Sequence, residues 1–145
     1  MNIVLGIISI IATFSIVVCM EKMFKKEGLY VWISIATIMA NILVCKSIDI
    51  LGLTASLGNV MFASIFLATD ILSEKYDVKD SRKAVMLAIV SQIIFILATT
   101  LAVSYIPSET DLSHESMKTL FSINARVSIS SIVMFGASNM LDIYL

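Results

Sequence analysis

Five stretches of nearly uninterrupted apolar residues divide the chain. They run from Ile3 to Met20, from Leu29 to Cys45 (closed by Lys46), and roughly from Leu57 to Leu72, with Asp70 near the end. The fourth, Ala84 to Ile106, stops at Pro107, and the fifth runs from about Leu120 to Leu145, interrupted by Arg126 and Asp142. Each is close to or above the roughly 17–25 residues that a helix needs to cross a bilayer. The runs are continuous instead of alternating, which predicts membrane-spanning helices and not a β-barrel. Polar loops are expected at Ser73–Lys83 and Ser108–Lys118. The pattern predicts an all-α, multi-pass transmembrane helical bundle of about five helices, forming a single integral membrane domain over residues 1–145. The first run lacks a basic start, is long for a signal peptide and is followed by no small-x-small cleavage site, so a retained helix is predicted.

Composition agrees. Of 145 residues, 59% are hydrophobic and 14% charged, against about 45–50% and roughly 25% in soluble domains. With mean hydropathy +0.98, the bilayer is the solvent that such a chain fits. A net charge of −1 leaves no basic field for nucleic acid. Cys19 and Cys45 end successive runs at opposite membrane faces, which excludes a disulfide between them, and with His114 as the single histidine no zinc-ligand set exists. No metal and no cofactor are expected. Nor is there a nucleophile–base pair or a nucleotide-cradling glycine loop, so an enzyme is not expected.

Lysines and arginines set the orientation. Lys22, Lys25 and Lys26 follow the first run; Lys75, Lys79, Arg82 and Lys83 follow the third. In a five-helix arrangement both groups lie on one face, and the other face has only Lys46 and Lys118, with Arg126 just beyond. The expectation is an N-terminus outside and a cytoplasmic 73–83 loop.

A charge in hydrocarbon costs at least about 2.5–3.5 kcal/mol near the bilayer centre, so polar residues within the runs are the candidate site. Asp70 and Glu74 stand four apart on one helix face, where they repel unless a cation or a proton intervenes. They read either as the polar floor of a substrate cavity or as a solvated helix end, with Lys75, Arg126 and Lys46 as possible counter-ions. Asn139 and Asp142 share a face of the fifth helix, and Arg126 has a similar bearing. Its serines, Ser128, Ser130 and Ser131, fit helix packing. Asn41, Asn59 and Gln92 carry both donors and acceptors, suited to a purine-like edge or to inter-helix bonds. Trp32 and Tyr30 are expected as interfacial anchors or packing groups.

The segment GNVMFASIFLATDILSEKY over Gly58–Tyr76, with ANILVCKSIDILG before it and SRKAV after it, resembles the queuosine-precursor transporter (VUT) family. That family carries an asparagine and a lysine on one helix, then G-N-x-x-F-x-x-x-F-L-x-T-D-I-L-x-E-x-Y-G and a basic turn. The matching positions are Asn41, Lys46, Gly58, Asn59, Phe62, Phe66, Leu67, Thr69, Asp70, Ile71, Leu72, Glu74 and Tyr76. An arginine, small residues and S-Q-x-x-D follow in the family, matched by Arg126, Ser130, Ser131, Ser138, Asn139 and Asp142. The resemblance covers about residues 29–145 and leaves the helix of residues 3–20 as an addition. Asp77 stands where the family has glycine, and Asn139 replaces a glutamine.

The resemblance implies a bundle similar to the vitamin-binding S-components of energy-coupling-factor uptake systems. It implies import of a 7-deazaguanine such as preQ0 or preQ1, bound by Asn41, Lys46, Asn59, Thr69, Asp70, Glu74, Arg126, Asn139 and Asp142. It also leaves room for a homo-oligomer or an energising partner subunit. The family continues with a basic W-x-R-N-N-x-S-T segment and further helices, so the chain is expected to be C-terminally truncated. The alternative is a small membrane accessory protein, or an inactive fragment, without its own solute pathway.

Overall fold

The computed structural model describes the backbone of residues 2–50 and 52–144, and side chains as far as residue 133. In chain order its elements are α1 (Asn2–Leu43), β1 (Ser47–Ile50), β2 (Leu53–Ser56), α2 (Asn59–Lys75), α3 (Val78–Ser104) and α4 (His114–Tyr144). The chain divides into two compact units, residues 1–92 and 93–145. α1 and α3 are long and apolar enough to cross a membrane. The protein is a membrane protein built almost wholly of helix.

At 42 residues, α1 would extend about 63 Å if straight, twice the roughly 30 Å hydrocarbon core. It is not straight. Lys25, at φ 54 and ψ −136, leaves the helical region and separates two helical arms. A Cβ on buried Gly28 would collide with the backbone carbonyl of Met20, although eight residues along a straight helix are about 12 Å apart. At the far end, the Asn2 side-chain amide donates to the Asp49 carbonyl at 3.0 Å. Residues 20 and 28 meet at one end and residues 2 and 49 at the other, so the two arms run antiparallel. The hydrophobic break at residues 21–28 thus becomes a tight helical hairpin.

The first unit packs through small residues. Its core combines Val17 of the first arm and Leu29, Trp32, Ile33 and Ala36 of the second with Ala68 and Leu72 of α2 and Ala84 and Ala88 of α3. Buried pairs four apart recur: Ala36 and Ala40, Ser64 and Ala68, Ala84 and Ala88. In lipid, where tails are as apolar as leucine, such pairs let helix backbones approach and gain dispersion contacts. Many other large side chains point outward: Ile3, Ile7, Ile11 and Val18 on the first arm, and Met86, Val90, Ile94, Leu97 and Leu101 on α3, are all exposed. Water would not tolerate that surface; hydrocarbon would.

Several expectations need correction. Trp32 is not an interfacial anchor. It is 7% exposed, and its indole N–H donates to Ser64 Oγ at 3.2 Å, giving the polar end of the ring the partner it requires when buried. Tyr30 is held by Asp80 (2.5 Å). The 73–83 stretch is mostly helical, because helix outlasts the apolar run at both ends: α2 reaches Lys75 and α3 starts at Val78. Asp77, the departure from the family glycine, is the cap. Its side chain accepts the Lys79 N–H at 2.8 Å, and its carbonyl accepts those of Asp80 and Ser81, as an N-cap does. Between α1 and α2 lies a short antiparallel ribbon, with Ser47 opposite Ser56 and Ile50 opposite Leu53. Gly52, at φ 80, takes the left-handed position that a two-residue hairpin loop demands.

In the second unit, Phe95 of α3 meets Phe121 of α4 edge to face, centroids 6.0 Å apart. Asn124 and Ser128, one and two turns beyond Phe121, are buried.

Candidate functional site

α2 has two faces. Ser64, Ala68 and Leu72, at steps of four, are buried. Asn59, Ala63, Phe66, Asp70 and Glu74, at steps of four and three, are all exposed. Helical geometry puts these five on one stripe, with Asp70 about 16 Å along the axis from Asn59 and Glu74 about 6 Å further. Asp70 and Glu74 make no hydrogen bond or ion pair among the described residues. Lys75, a predicted counter-ion, turns away from them to Glu21 at 2.5 Å. Of the two readings of these carboxylates, the floor of a substrate cavity or a solvated helix end, the fold shows only that both lie on an open face of α2. Thr69 is half-buried, and its hydroxyl donates to the Phe66 carbonyl at 2.9 Å.

Gly58 fixes where the stripe begins. It is buried, and a Cβ there would lie 2.7 Å from the Ala40 carbonyl oxygen and 3.1 Å from the Val44 nitrogen. This close approach sets the start of α2, with Asn59, beside the end of α1, with Asn41. Asn41 is 3% exposed. Its amide N–H donates to the Thr37 carbonyl at 2.9 Å, while Oδ1 is buried and has no partner among the described residues. A buried acceptor left unmet costs about 1–3 kcal/mol. Lys46 is exposed in the turn before β1.

The remaining candidates belong to the second unit. Arg126 is exposed on α4, in a recess of about 590 Å³ lined by Ile123, Arg126, Val127, Ser130 and Ser131. The side chains of Asn139 and Asp142 lie outside the described residues. Asn124 escaped the sequence reading. It is 1% exposed, and its Nδ2 lacks a partner among the described residues; its place four residues before Ser128 was the available signal. No group of three His, Cys, Asp or Glu that could hold a metal occurs among the described residues.

The polar end of the first unit also escaped the sequence reading. Glu21 accepts from Lys75 and from the Tyr76 hydroxyl at 2.9 Å. Asp80 accepts from Lys26 at 3.4 Å and from Tyr30. The pairs join the α1 turn to the end of α2 and the start of α3. Glu21 raises the Lys75 ammonium above its ordinary 10.5, against the opposing pull of desolvation.

No solved structure gives a significant match to the chain. A curated relative, the "Probable queuosine precursor transporter" of Bacillus subtilis (strain 168), is 40% identical over 131 residues, covering 90% of this chain. The chain spans 57% of that relative's length. Residues 56–145, which include the whole α2 stripe, match the family described as "Putative vitamin uptake transporter". By that match, over well more than half its length, the chain belongs to the vitamin uptake transporter (VUT) family.

Proposed function

We propose that the chain is the substrate-handling part of a membrane carrier that brings a queuosine precursor, a 7-deazaguanine such as preQ0 or preQ1, into the cytoplasm. The observation that carries this reading is the one-sided stripe of α2. Within a segment shared with the family, Asn59, Asp70 and Glu74 face one way, and no described residue neutralises the two carboxylates. In a lipid-spanning helix such a face needs a polar occupant. A deazaguanine offers a donor–donor–acceptor edge. Asp70 or Glu74 accepts two of its hydrogen bonds, and the amides of Asn41, Asn59 and Asn139 complement them. Thr69, Lys46, Arg126 and Asp142 complete the proposed set. The name and 40% identity of the Bacillus relative support the same substrate class.

The chain then reads as five spans, the two arms of α1 and α2, α3 and α4, arranged like the vitamin-binding S-components of uptake systems. The N-terminus is outside and the 73–83 segment cytoplasmic, in the bacterial inner membrane.

Uptake in a host unable to make queuosine, scored by the modification of its transfer RNA, tests this reading. The chain should restore modification, and Asp70→Ala should abolish it while inserting at normal levels. Undiminished modification with Asp70→Ala removes Asp70 from the site. A second reading, a membrane accessory subunit with no solute path of its own, draws on the open setting of Asp70 and Glu74. It predicts no modification with the chain alone.

A further inference from the structure

The turn of α1 and the α2–α3 junction share one end of the first unit, tied by the Glu21–Lys75 and Lys26–Asp80 pairs. Three acids at this end are committed to inside partners: Glu21 to Lys75 and Tyr76, Asp80 to Lys26 and Tyr30, and Asp77 to the backbone of Lys79. The cations are not. Lys22, Lys25, Lys79 and Arg82 are exposed and bond no carboxylate among the described residues. The exposed Lys83 places its ammonium over the Tyr30 ring at 5.5 Å. Glu27, Glu74 and Asp77, whose carboxylate accepts only a backbone N–H, are the exposed acids that oppose them. The far end of the unit offers Lys46 beside Asp49.

Lys25 adds an independent observation. Its φ of 54 with ψ −136 lies where a Cβ is strained and glycine is the natural occupant. A lysine nevertheless fills the apex of the turn. Backbone strain held at one residue, on a tip that projects an unpaired ammonium, points to a use for that side chain outside the fold.

We propose that this end of the first unit is a docking surface for anionic phospholipid headgroups, with Lys22, Lys25 and Arg82 as its principal contacts. The chemistry is that of a phosphodiester: a diffuse anion at the level of the headgroups, reached by flexible ammoniums and gripped in a fork by a guanidinium. The surface holds whatever the helices carry, and it fastens the hairpin turn and the α2–α3 junction to one leaflet.

The test compares thermal unfolding of the full chain in nanodiscs of phosphatidylcholine alone and of phosphatidylcholine mixed with phosphatidylglycerol. Wild type should unfold several degrees higher in the mixture, and added salt should erase the gain by screening. The Lys22→Gln, Lys25→Gln, Arg82→Gln triple variant should lose the gain, while Lys118→Gln, exposed in the second unit, keeps it. Lys25→Gly provides a second arm. It should raise stability in phosphatidylcholine by relieving the backbone, yet gain less from phosphatidylglycerol than wild type. An equal gain in the triple variant, or no gain in wild type, overturns the proposal.

Discussion

A methyl group at position 58 would lie 2.7 Å from the Ala40 carbonyl oxygen, an atom of helix backbone that cannot step aside. Gly58→Ala should therefore destabilise the first unit by about 1–3 kcal/mol, the usual cost of overpacking. Gly6→Ala is its control. Nothing lies within 4 Å of a Cβ at position 6, and alanine is the better helix former by about 1 kcal/mol, so that variant should be neutral or stabilising. Thermal unfolding in detergent compares the two. Sequence marks Gly58 as a motif position but not why it must be glycine, since crowding is a property of the neighbouring helix. The same is true of Trp32: an indole near the start of an apolar run reads as an interfacial anchor until Ser64 is seen opposite. Asp77 is the reverse case. It replaces the family glycine, which spoke against a tight turn there, and its role as a cap follows from local chemistry once α3 is known to begin one residue later.

Helices were legible as apolar runs, and their ends were not. Hydropathy reports where lipid begins, whereas helix persists as long as capping and side-chain pairing allow. α3 thus starts six residues ahead of its apolar run and α4 six ahead of its own. The ribbon at Ser47–Ser56 was missed because four-residue strands are too short for alternation to stand out between two long runs. The stripe of α2 was partly legible, since the four-residue spacing of Asp70 and Glu74 fixes a shared face. Which way that face points depends on Ser64 and Ala68 winning the contact with α1, where Trp32 meets Ser64. The pairing of Lys75 with Glu21 across 54 residues was invisible in the sequence, which offered nearer partners. Because Glu21 raises the Lys75 pKa above 10.5, the contribution of this pair is fully present below that value and lost as pH climbs through the raised one. Wild type and Glu21→Gln should therefore keep a constant stability difference from pH 6 to pH 9, narrowing above about 10, where first Tyr76 and then Lys75 lose their protons in the unfolded chain. In the variant, the lysine resonance assigned to position 75 should titrate at lower pH.

At the scale of the molecule, a membrane chain of two compact units carries a family match that starts at the last residue of the second strand. The topology we propose is open to direct chemistry. In a background with Cys19 and Cys45 replaced by alanine, Lys79→Cys should react with a membrane-impermeant thiol reagent only after cells are opened. Ser108→Cys should react in intact cells. Reversed labelling would invert the assignment, and equal labelling would remove it. The central claim is more specific: the exposed carboxylates of α2 are where the guest is held. The most direct measurement is equilibrium binding of radiolabelled preQ1 to the purified chain in nanodiscs, beside Asp70→Ala shown by its unfolding profile to be folded. Loss of hydrogen bonds to a charged acceptor is worth about 1.5–3 kcal/mol, so binding should weaken by roughly 10- to 150-fold. Saturable binding of equal strength in wild type and Asp70→Ala, or none in wild type, would contradict the account.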